Sequence, residues 1–463
     1  MRRLSHHASI VVWDGCNECQ VYMGTDTAVY AEFVLAQVAA EDASRAVWPS
    51  CPALGWASGV DPLTSRPNGR NLTTPDDGAT IEVHGPYQHG TGFPAVNGAD
   101  ALELFDANLP INVTPGAATG VGLPSVFASE FGMSVFSSFE SMAPTLAEEH
   151  WGVHAGAAPD ACAGDFEREC VGDNPMSDRN YPCDNVIAVY FGSGDDLNAT
   201  GEAAFKRQLW RCMIGQALWI KSDIETRRAG NTFGTLVWQL NEIWPTGGWG
   251  SLEYGTPVEG QVLGGRWKPL HYWYRASIFA DVMAACGRGG RCFVKNDSPF
   301  AFRGALDVVA VSFATGEITT LATLALDMRA GAGVTQWFRL AKWDSLDATA
   351  TALVATVADA GGATVSRNVL ALTPPKDMAL PAADVAFDVA DAPNDDGSVD
   401  IAITSSAVAM YATFTTLAHG RFSDNAILLL PGATTIQFIP FGPLQMDALR
   451  TSLRVEHVAT YLV

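Results

Sequence analysis

Two glutamates of this chain stand where a glutamate is costly. Each closes an apolar run with the texture of a buried strand: Val11-Val12-Trp13-Asp14-Gly15-Cys16-Asn17-Glu18 and Phe127-Ala128-Ser129-Glu130-Phe131-Gly132. A carboxylate drawn away from water must be paired or put to use. Two of them, at the ends of different strands, suggest a carboxylate pair, and hydrolysis of a glycosidic bond needs such a pair. One carboxyl protonates the leaving oxygen and requires a raised pKa; the other attacks the anomeric carbon and stays ionised. Each motif alone is short enough to recur by chance as a solvated strand end. The two in this order shift the balance toward chemistry, and that chemistry calls for no metal or organic cofactor. The run Cys16-Asn17-Glu18-Cys19 has zinc-like C-x-x-C spacing, but no second C-x-x-C or H-x-x-x-H completes a four-ligand site.

The elements that would carry these glutamates alternate strand and helix. Ser9 to Trp13 is a nearly continuous apolar run, as in a strand covered on both faces. A helical pattern follows over Thr27 to Glu41, then short strands at Ala46–Ser50, Ile81–His84 and Pro124–Glu130. In 203–228, Phe205, Leu209, Met213, Ala217, Ile220 and Ile224 recur at spacings of three and four and predict the clearest helix, with Arg227 and Arg228 in its last turn and Gly230 as its stop. A fifth strand is expected at Thr235–Leu240. Such alternation predicts a parallel sheet, open or closed into a barrel. Barrels carry their chemistry at the C-terminal ends of strands. After about Cys286 the helical period fades. Strands are expected at Asp307–Phe313, Leu321–Met328, Val354–Val357, Val399–Thr404, Ile427–Leu430 and Thr435–Ile439, with a linker at Thr373–Asp377. The spacing fits two antiparallel sandwiches of roughly 80–90 residues each.

Composition bounds the partners. Hydrophobic residues make up 48% of the 463 and charged residues 17%, which excludes wholesale disorder. A net charge of −22 repels phosphate backbones and anionic lipid, so nucleic acid and membrane surfaces are poor partners. No stretch approaches the ~18 apolar residues of a spanning helix. Carboxylates shed charge near their reference pKa of about 4, and a general acid must hold its proton, so an acidic pH optimum is expected. The nine cysteines are too sparse for a small disulfide scaffold. Cys286 and Cys292 close a short loop and are a candidate pair. Cys162, Cys170 and Cys183 lie in a polar insertion with room for one bridge. Sequons at Asn71, Asn112, Asn198 and Asn296 are compatible with a secretory route. The oligomeric state is not legible.

Five segments, in order along almost the whole chain, resemble the β-mannosidases of glycoside-hydrolase family 2, of the lysosomal and related eukaryotic type. Ser5-His6-His7-Ala8-Ser9-Ile10-Val11-Val12-Trp13, running into Asn17-Glu18, is similar to that family's acid/base strand. Phe127-Ala128-Ser129-Glu130-Phe131-Gly132 is similar to its nucleophile strand. Trp238-Gln239-Leu240-Asn241-Glu242-Ile243-Trp244, with Trp249 and Ser251-Leu252-Glu253-Tyr254, resembles its last barrel strand and following loop. Trp267-Lys268-Pro269-Leu270-His271-Tyr272 resembles the helix entry that closes the barrel, and Gly420-Arg421-Phe422-Ser423-Asp424-Asn425 a signature of the final sandwich. The resemblance implies Glu18 as general acid/base and Glu130 as nucleophile. It implies Asn17 as the partner of the sugar 2-hydroxyl and Trp238 as an aromatic wall for the mannose ring. His84 and Tyr87 sit in a segment resembling the family's sixth-strand region and are carried over as substrate-binding residues.

The implied architecture is α/β plus all-β: strands 4–8 of a (β/α)8 TIM barrel over residues 1–285, then immunoglobulin-like sandwiches over 290–375 and 382–463. The implied activity is that of a retaining exo-β-mannosidase acting on oligosaccharides with a terminal β-mannose, in a lysosome, vacuole or secreted. Since the acid/base strand is the family's fourth, the resemblance covers the C-terminal half of a member, and a fragment or truncated gene product is expected. No signal peptide is evident: Met1-Arg2-Arg3 is followed by polar residues and by an apolar run too short for an h-region. The family usually has Ser or Cys in place of Asp14 and Asn in place of Cys16. Asp14 would raise the pKa of Glu18 if it points the same way and would be neutral in a helix cap. Two other readings stay open: a β-galactosidase or β-glucuronidase of the same family, and a non-catalytic chain whose sandwiches bind or scaffold.

Overall fold

The computed structural model describes residues 1, 3–15, 17, 33, 36–38, 40–42, 44–48, 51, 82–88, 109–111, 113, 127–154, 176, 183–192, 197–232, 234–255, 257–258, 261–262, 265–331 and 333–462. The described structure is mostly β. The chain divides into two compact units: residues 1–87, 116–132 and 231–238, and residues 88–115, 133–230 and 239–463.

In the first unit, strands β1 (Val12–Asp14) and β2 (Ala46–Trp48) pair in parallel, with Val12 opposite Ala46 and Asp14 opposite Trp48. The same offset continues to a bridge between Asn17 and Cys51. Strands β3 (Glu82–Gln88), β4 (Phe127–Met133) and β5 (Gly234–Val237) form a second sheet in that order, with β4 and β5 parallel. All five short strands expected between Ser9 and Leu240 are present, with shifted ends. The last stops at Val237, before Trp238. Glycine at 234 is a packing requirement, since a Cβ there would lie 2.7 Å from the Phe127 ring. Of the helix expected over Thr27–Glu41, residues 33, 36–38 and 40–41 are described and helical; the remainder lies outside the described residues. Behind β1, Asp42 accepts hydrogen bonds from Ser44, the Trp13 indole and Arg45. Together these hold its carboxyl well below the usual range.

In the second unit, short helix α1 (Phe139–Met142) is followed by α2 (Asp184–Phe191) and the 28-residue α3 (Glu202–Ala229). The predicted stripe from Phe205 to Ile224 is buried, but so are Trp210, Ile214 and Leu218 off that stripe, so α3 is an interior helix. It ends at Ala229 as expected, although the left-handed residue is Asn231 (φ 57°) and not Gly230. Arg228 does more than complement the helix dipole. It donates to the carbonyls of Ile278 and Ala280 and pairs with Asp297 at 2.9 Å. Helix α4 (Pro269–Trp273) continues into a π-helical turn, Tyr274–Ile278. No helix among the described residues is long and apolar enough to cross a membrane.

Strands β6 (Pro257–Val258) and β7 (Gln261–Val262) form a small antiparallel pair. Next come β8 (Val282–Cys286), β9 (Arg291–Asn296), β10 (Phe302–Ser312), β11 (Ile318–Met328), β12 (Val334–Arg339), β13 (Thr351–Asp359) and β14 (Thr364–Ala371). They make sheets of order β12-β9-β8 and β11-β10-β13-β14 around a core that includes Phe293, Leu306, Val308 and Leu353. The strands β8, β9 and β12 had no clear periodic signal. The expected linker is a 3-10 turn, Pro375–Asp377. Beyond it lie β15 (Val385–Val389), β16 (Val399–Ser405), β17 (Ala409–Thr415), β18 (Gly420–Phe422), β19 (Ile427–Leu429), β20 (Gly432–Pro440), α5 (Met446–Ser452), β21 (Arg454–Glu456) and α6 (Val458–Tyr461). Their sheets are ordered β15-β16-β20-β18 and β19-β17-β21. The strict alternation read in Val399–Thr404 is a strand with Val399, Ile401 and Ile403 buried.

Cys286 and Cys292 are bonded, as their spacing allows. Cys183 is not bridged within its own insertion; it bonds Cys212 of α3. A helical cysteine 29 positions away gave no local spacing signal. Loop-closure entropy grows with the enclosed length, so removing Cys183–Cys212 is expected to cost about 1 kcal/mol more than removing Cys286–Cys292. Denaturant titration of the two paired Cys→Ser variants measures this. The sequon at Asn296 is not an acceptor in the folded chain: its amide is buried, donates to the Phe300 and Arg329 carbonyls and accepts from Ser298 N–H.

An ionic cluster joins α1 to β21. Arg454 donates to both Glu140 oxygens, at 2.6 and 3.0 Å, and also pairs with Glu456, which accepts from Tyr461 as well. Burial raises the Glu140 carboxyl, but the Arg454 hydrogen bonds and charge outweigh it and leave it below the usual range. A carboxyl whose folded pKa is depressed stabilises above its unfolded pKa, about 4.3, and loses that contribution as pH falls through the folded value. The stability gap between wild type and Glu140→Gln should therefore be full at pH 7 and shrink below pH ~4. Thermal melts across pH 3–7 check the sign.

Candidate active site

Within the first unit, the nucleophile motif sits on an irregular stretch of β4. Ala128 faces Thr235 and Phe131 faces Val237, so β4 carries one residue more than β5 over this span. Ser129 and Glu130 occupy that bulge, between Ala128 and Phe131, both fully buried. A bulge re-aims a side chain without ending the strand and is frequent beside active sites. Here it presents a carboxylate of which 13% is exposed. The carboxylate is not left without a partner: Oε1 lies 2.9 Å from Nε2 of His84 on β3, whose side chain is 7% exposed.

The imidazole is held on its other side. Cys51 Sγ lies 3.2 Å from His84 Nδ1 and 3.1 Å from Ser129 Oγ. Cys51 stands just beyond β2 and bridges Asn17 just beyond β1, so both parallel strands deliver residues to their C-terminal ends. Asn17 is exposed there. Trp238 follows β5 and donates its backbone N–H to Phe131 O at 2.8 Å; 42% of the residue is exposed, which removes it from the core. Asp14 is exposed at the end of β1.

Of the residues singled out from sequence, His84 and Glu130 are in direct contact. Asn17 is placed at the strand ends through Cys51, and Trp238 adjoins β4 through its backbone. Tyr87 belongs to β3, three positions after His84, but its side chain lies outside what is described. Glu18 lies outside the described residues. Sequence reading passed over Cys51 and the contact of Ser129, and it placed Glu130 at a strand end, whereas β4 continues through the bulge to Met133.

In the second unit, the segments beyond Trp238 are locked by buried polar groups. Lys268 Nζ pairs with Glu242 Oε1 at 2.6 Å, and both side chains are essentially inaccessible. Burial raises the Glu242 carboxyl, opposed by Lys268. A Cβ on Gly248 would lie 1.9 Å from Glu242 Oε2, so only glycine fits there. Glu253 accepts from Ser138 and Ser141, and Ser251 Oγ is 2.9 Å from His271 Nδ1. Tyr272 OH accepts from Phe422 N–H, and Asn425 bonds both backbone groups of Phe414. These residues build and seal the scaffold.

Residues 380–461 match the Ig-fold domain family Ig_mannosidase. The beta-mannosidase of Bos taurus is 30% identical over 171 residues, 34% of this chain and 16% of its own length. That of Mus musculus is 25% identical over 312 residues, 61% of this chain and 29% of its own length. The chain is similar to these β-mannosidases over those spans. The crystal structure of a beta-D-mannosidase from Dictyoglomus thermophilum matches 98% of this chain and 49% of its own with a TM-score of 0.61 at 19% identity, a likeness of fold. The chain thus spans about half the length of that structure and under a third of these curated β-mannosidases.

Proposed function

We propose that the protein is a glycoside hydrolase, a retaining exo-β-mannosidase that removes terminal β-mannose from the non-reducing end of oligosaccharides. The observation that carries this reading is the Glu130–His84 contact on the β4 bulge, in a chain similar to β-mannosidases. Glu130 attacks the anomeric carbon while Glu18 protonates the leaving oxygen. Glu18, then a carboxylate, takes a proton from water as it hydrolyses the mannosyl ester on Glu130. A hydrogen bond from His84 spreads charge on the carboxylate and fixes its attack angle. Asn17 holds the 2-hydroxyl, a contact that strengthens in the transition state. Trp238 offers an exposed ring to a sugar face, and His84 and Tyr87 are the other substrate-binding residues of this reading.

In this reading residues 1–285 belong to a (β/α)8 barrel, 290–375 and 382–463 are immunoglobulin-like sandwiches, and the enzyme works in a lysosome, vacuole or outside the cell. Aryl β-mannoside is expected to turn over faster than aryl β-galactoside or β-glucuronide, with an optimum on the acid side of neutrality. Faster galactoside hydrolysis would sink the mannose assignment, and a maximum above neutral pH the acid-optimum expectation.

A further inference from the structure

We infer that Cys51 is a positioning residue for Glu130, acting through His84. The inference rests on the glycosidase reading above for its kinetic consequence, but not for its geometry. Cys51 is 4% exposed, and its sulfur lies within 3.2 Å of His84 Nδ1 and 3.1 Å of Ser129 Oγ. The opposite ring nitrogen, Nε2, lies 2.9 Å from Glu130 Oε1. One thiol therefore touches both neighbours of the carboxylate: the imidazole that meets it and the serine that precedes it in the bulge.

An imidazole pinned at one nitrogen can still swing about its Cβ–Cγ bond; pinned at both, it cannot. A neutral ring carries hydrogen on one nitrogen only, and which one depends on the partner of the other. With Nε2–H given to Glu130, a neutral ring accepts at Nδ1, so the one thiol hydrogen goes to Nδ1 and the sulfur keeps Ser129 Oγ as its other neighbour at 3.1 Å. Alanine at 51 removes the sulfur beside Nδ1 and with it one of the contacts that hold the carboxylate's partner. Serine keeps a group of both roles at nearly the same place. Misplacing a reacting group by a fraction of an ångström costs rate more than binding.

The test uses the full chain with 15N-labelled histidine and the variants Cys51→Ala and Cys51→Ser; His84→Gln identifies the His84 signals. Cys51→Ala is expected to shift both His84 ring nitrogens. Cys51→Ser is expected to shift Nδ1, whose neighbour changes, while Nε2 stays near its wild-type position. On aryl β-mannoside, Cys51→Ala should lower kcat about tenfold with KM within twofold, and Cys51→Ser should recover most of the loss. Unchanged Nδ1 signals in both variants overturn the inference, as does a kcat loss that tracks thermal stability with the imidazole undisturbed. Turnover that survives Glu130→Ala instead overturns the glycosidase mechanism, and the nitrogen shifts still decide the positioning role.

Discussion

Glu130→Ala is expected to abolish at least ~10⁴-fold of β-mannoside turnover while leaving the fold intact, the scale of loss seen when a catalytic nucleophile is deleted. The expectation follows from what the side chain does and does not do for the structure. It sits on a bulge, is partly exposed, and is flanked by buried Ala128 and Phe131 that hold β4 without it. Removing it leaves His84 with its Nδ1 side still occupied by Cys51. A small stability change beside a large kinetic one separates a chemical role from a packing role. Glu130→Gln keeps the volume and hydrogen-bonding shape but cannot form the mannosyl ester, so it should be nearly as inactive. His84→Gln keeps the carboxylate as nucleophile and should lose about 10²-fold, mainly in kcat. Circular dichroism and thermal melts confirm folding; steady-state rates on an aryl β-mannoside give the losses. Equal turnover in wild type and Glu130→Ala would end the proposed mechanism.

The parts of the site legible in sequence are those with a local signature. Short apolar runs located β1, β2 and β4, but the reading of the first as covered on both faces fails: Val11 is 67% exposed and Val12 and Trp13 are half-buried, and β4 runs past Glu130 to Met133. Alternation found β16, and three-and-four spacing found α3. What escaped was set by distant neighbours. The bulge at Ser129–Glu130 depends on the register with β5, about a hundred positions on, and no residue in Phe127–Met133 announces it. Cys51 gains meaning only from His84 and Ser129. Strands β8 and β9 form a tight hairpin around a disulfide and are buried along nearly their whole length, so they lack the two-residue period that marks a half-exposed strand. The segments after Trp238 resemble family ones in sequence without showing what their polar residues do; in the structure Lys268, Glu242 and Glu253 are taken up by one another and by the backbone.

Lys268→Met tests that last distinction and should be the most destabilising single change discussed, costing about 3–5 kcal/mol, because breaking a buried ion pair strands its partner. The ammonium is 0% exposed, pairs with Glu242 at 2.6 Å and reaches the Val135 carbonyl at 3.3 Å. Methionine fills much of the same space, so the loss isolates charge from volume. Glu242 cannot turn to water instead: Gly248 packs so closely that even a methyl group there would strike its carboxylate. Its remaining recourse is to take up a proton, and burial already raises its pKa. The sign then follows. With the folded pKa above the unfolded one, the variant is least penalised at low pH and increasingly penalised as pH rises through the folded value. The double variant Lys268→Met/Glu242→Gln removes the stranded charge and should recover more than half of the loss. The coupling from the four melts, taken at pH 5 and pH 8, measures the pair directly. If Lys268→Met alone is neutral, the pair contributes nothing net, and the segment's family-like pattern must be explained by the sugar site and not by the scaffold.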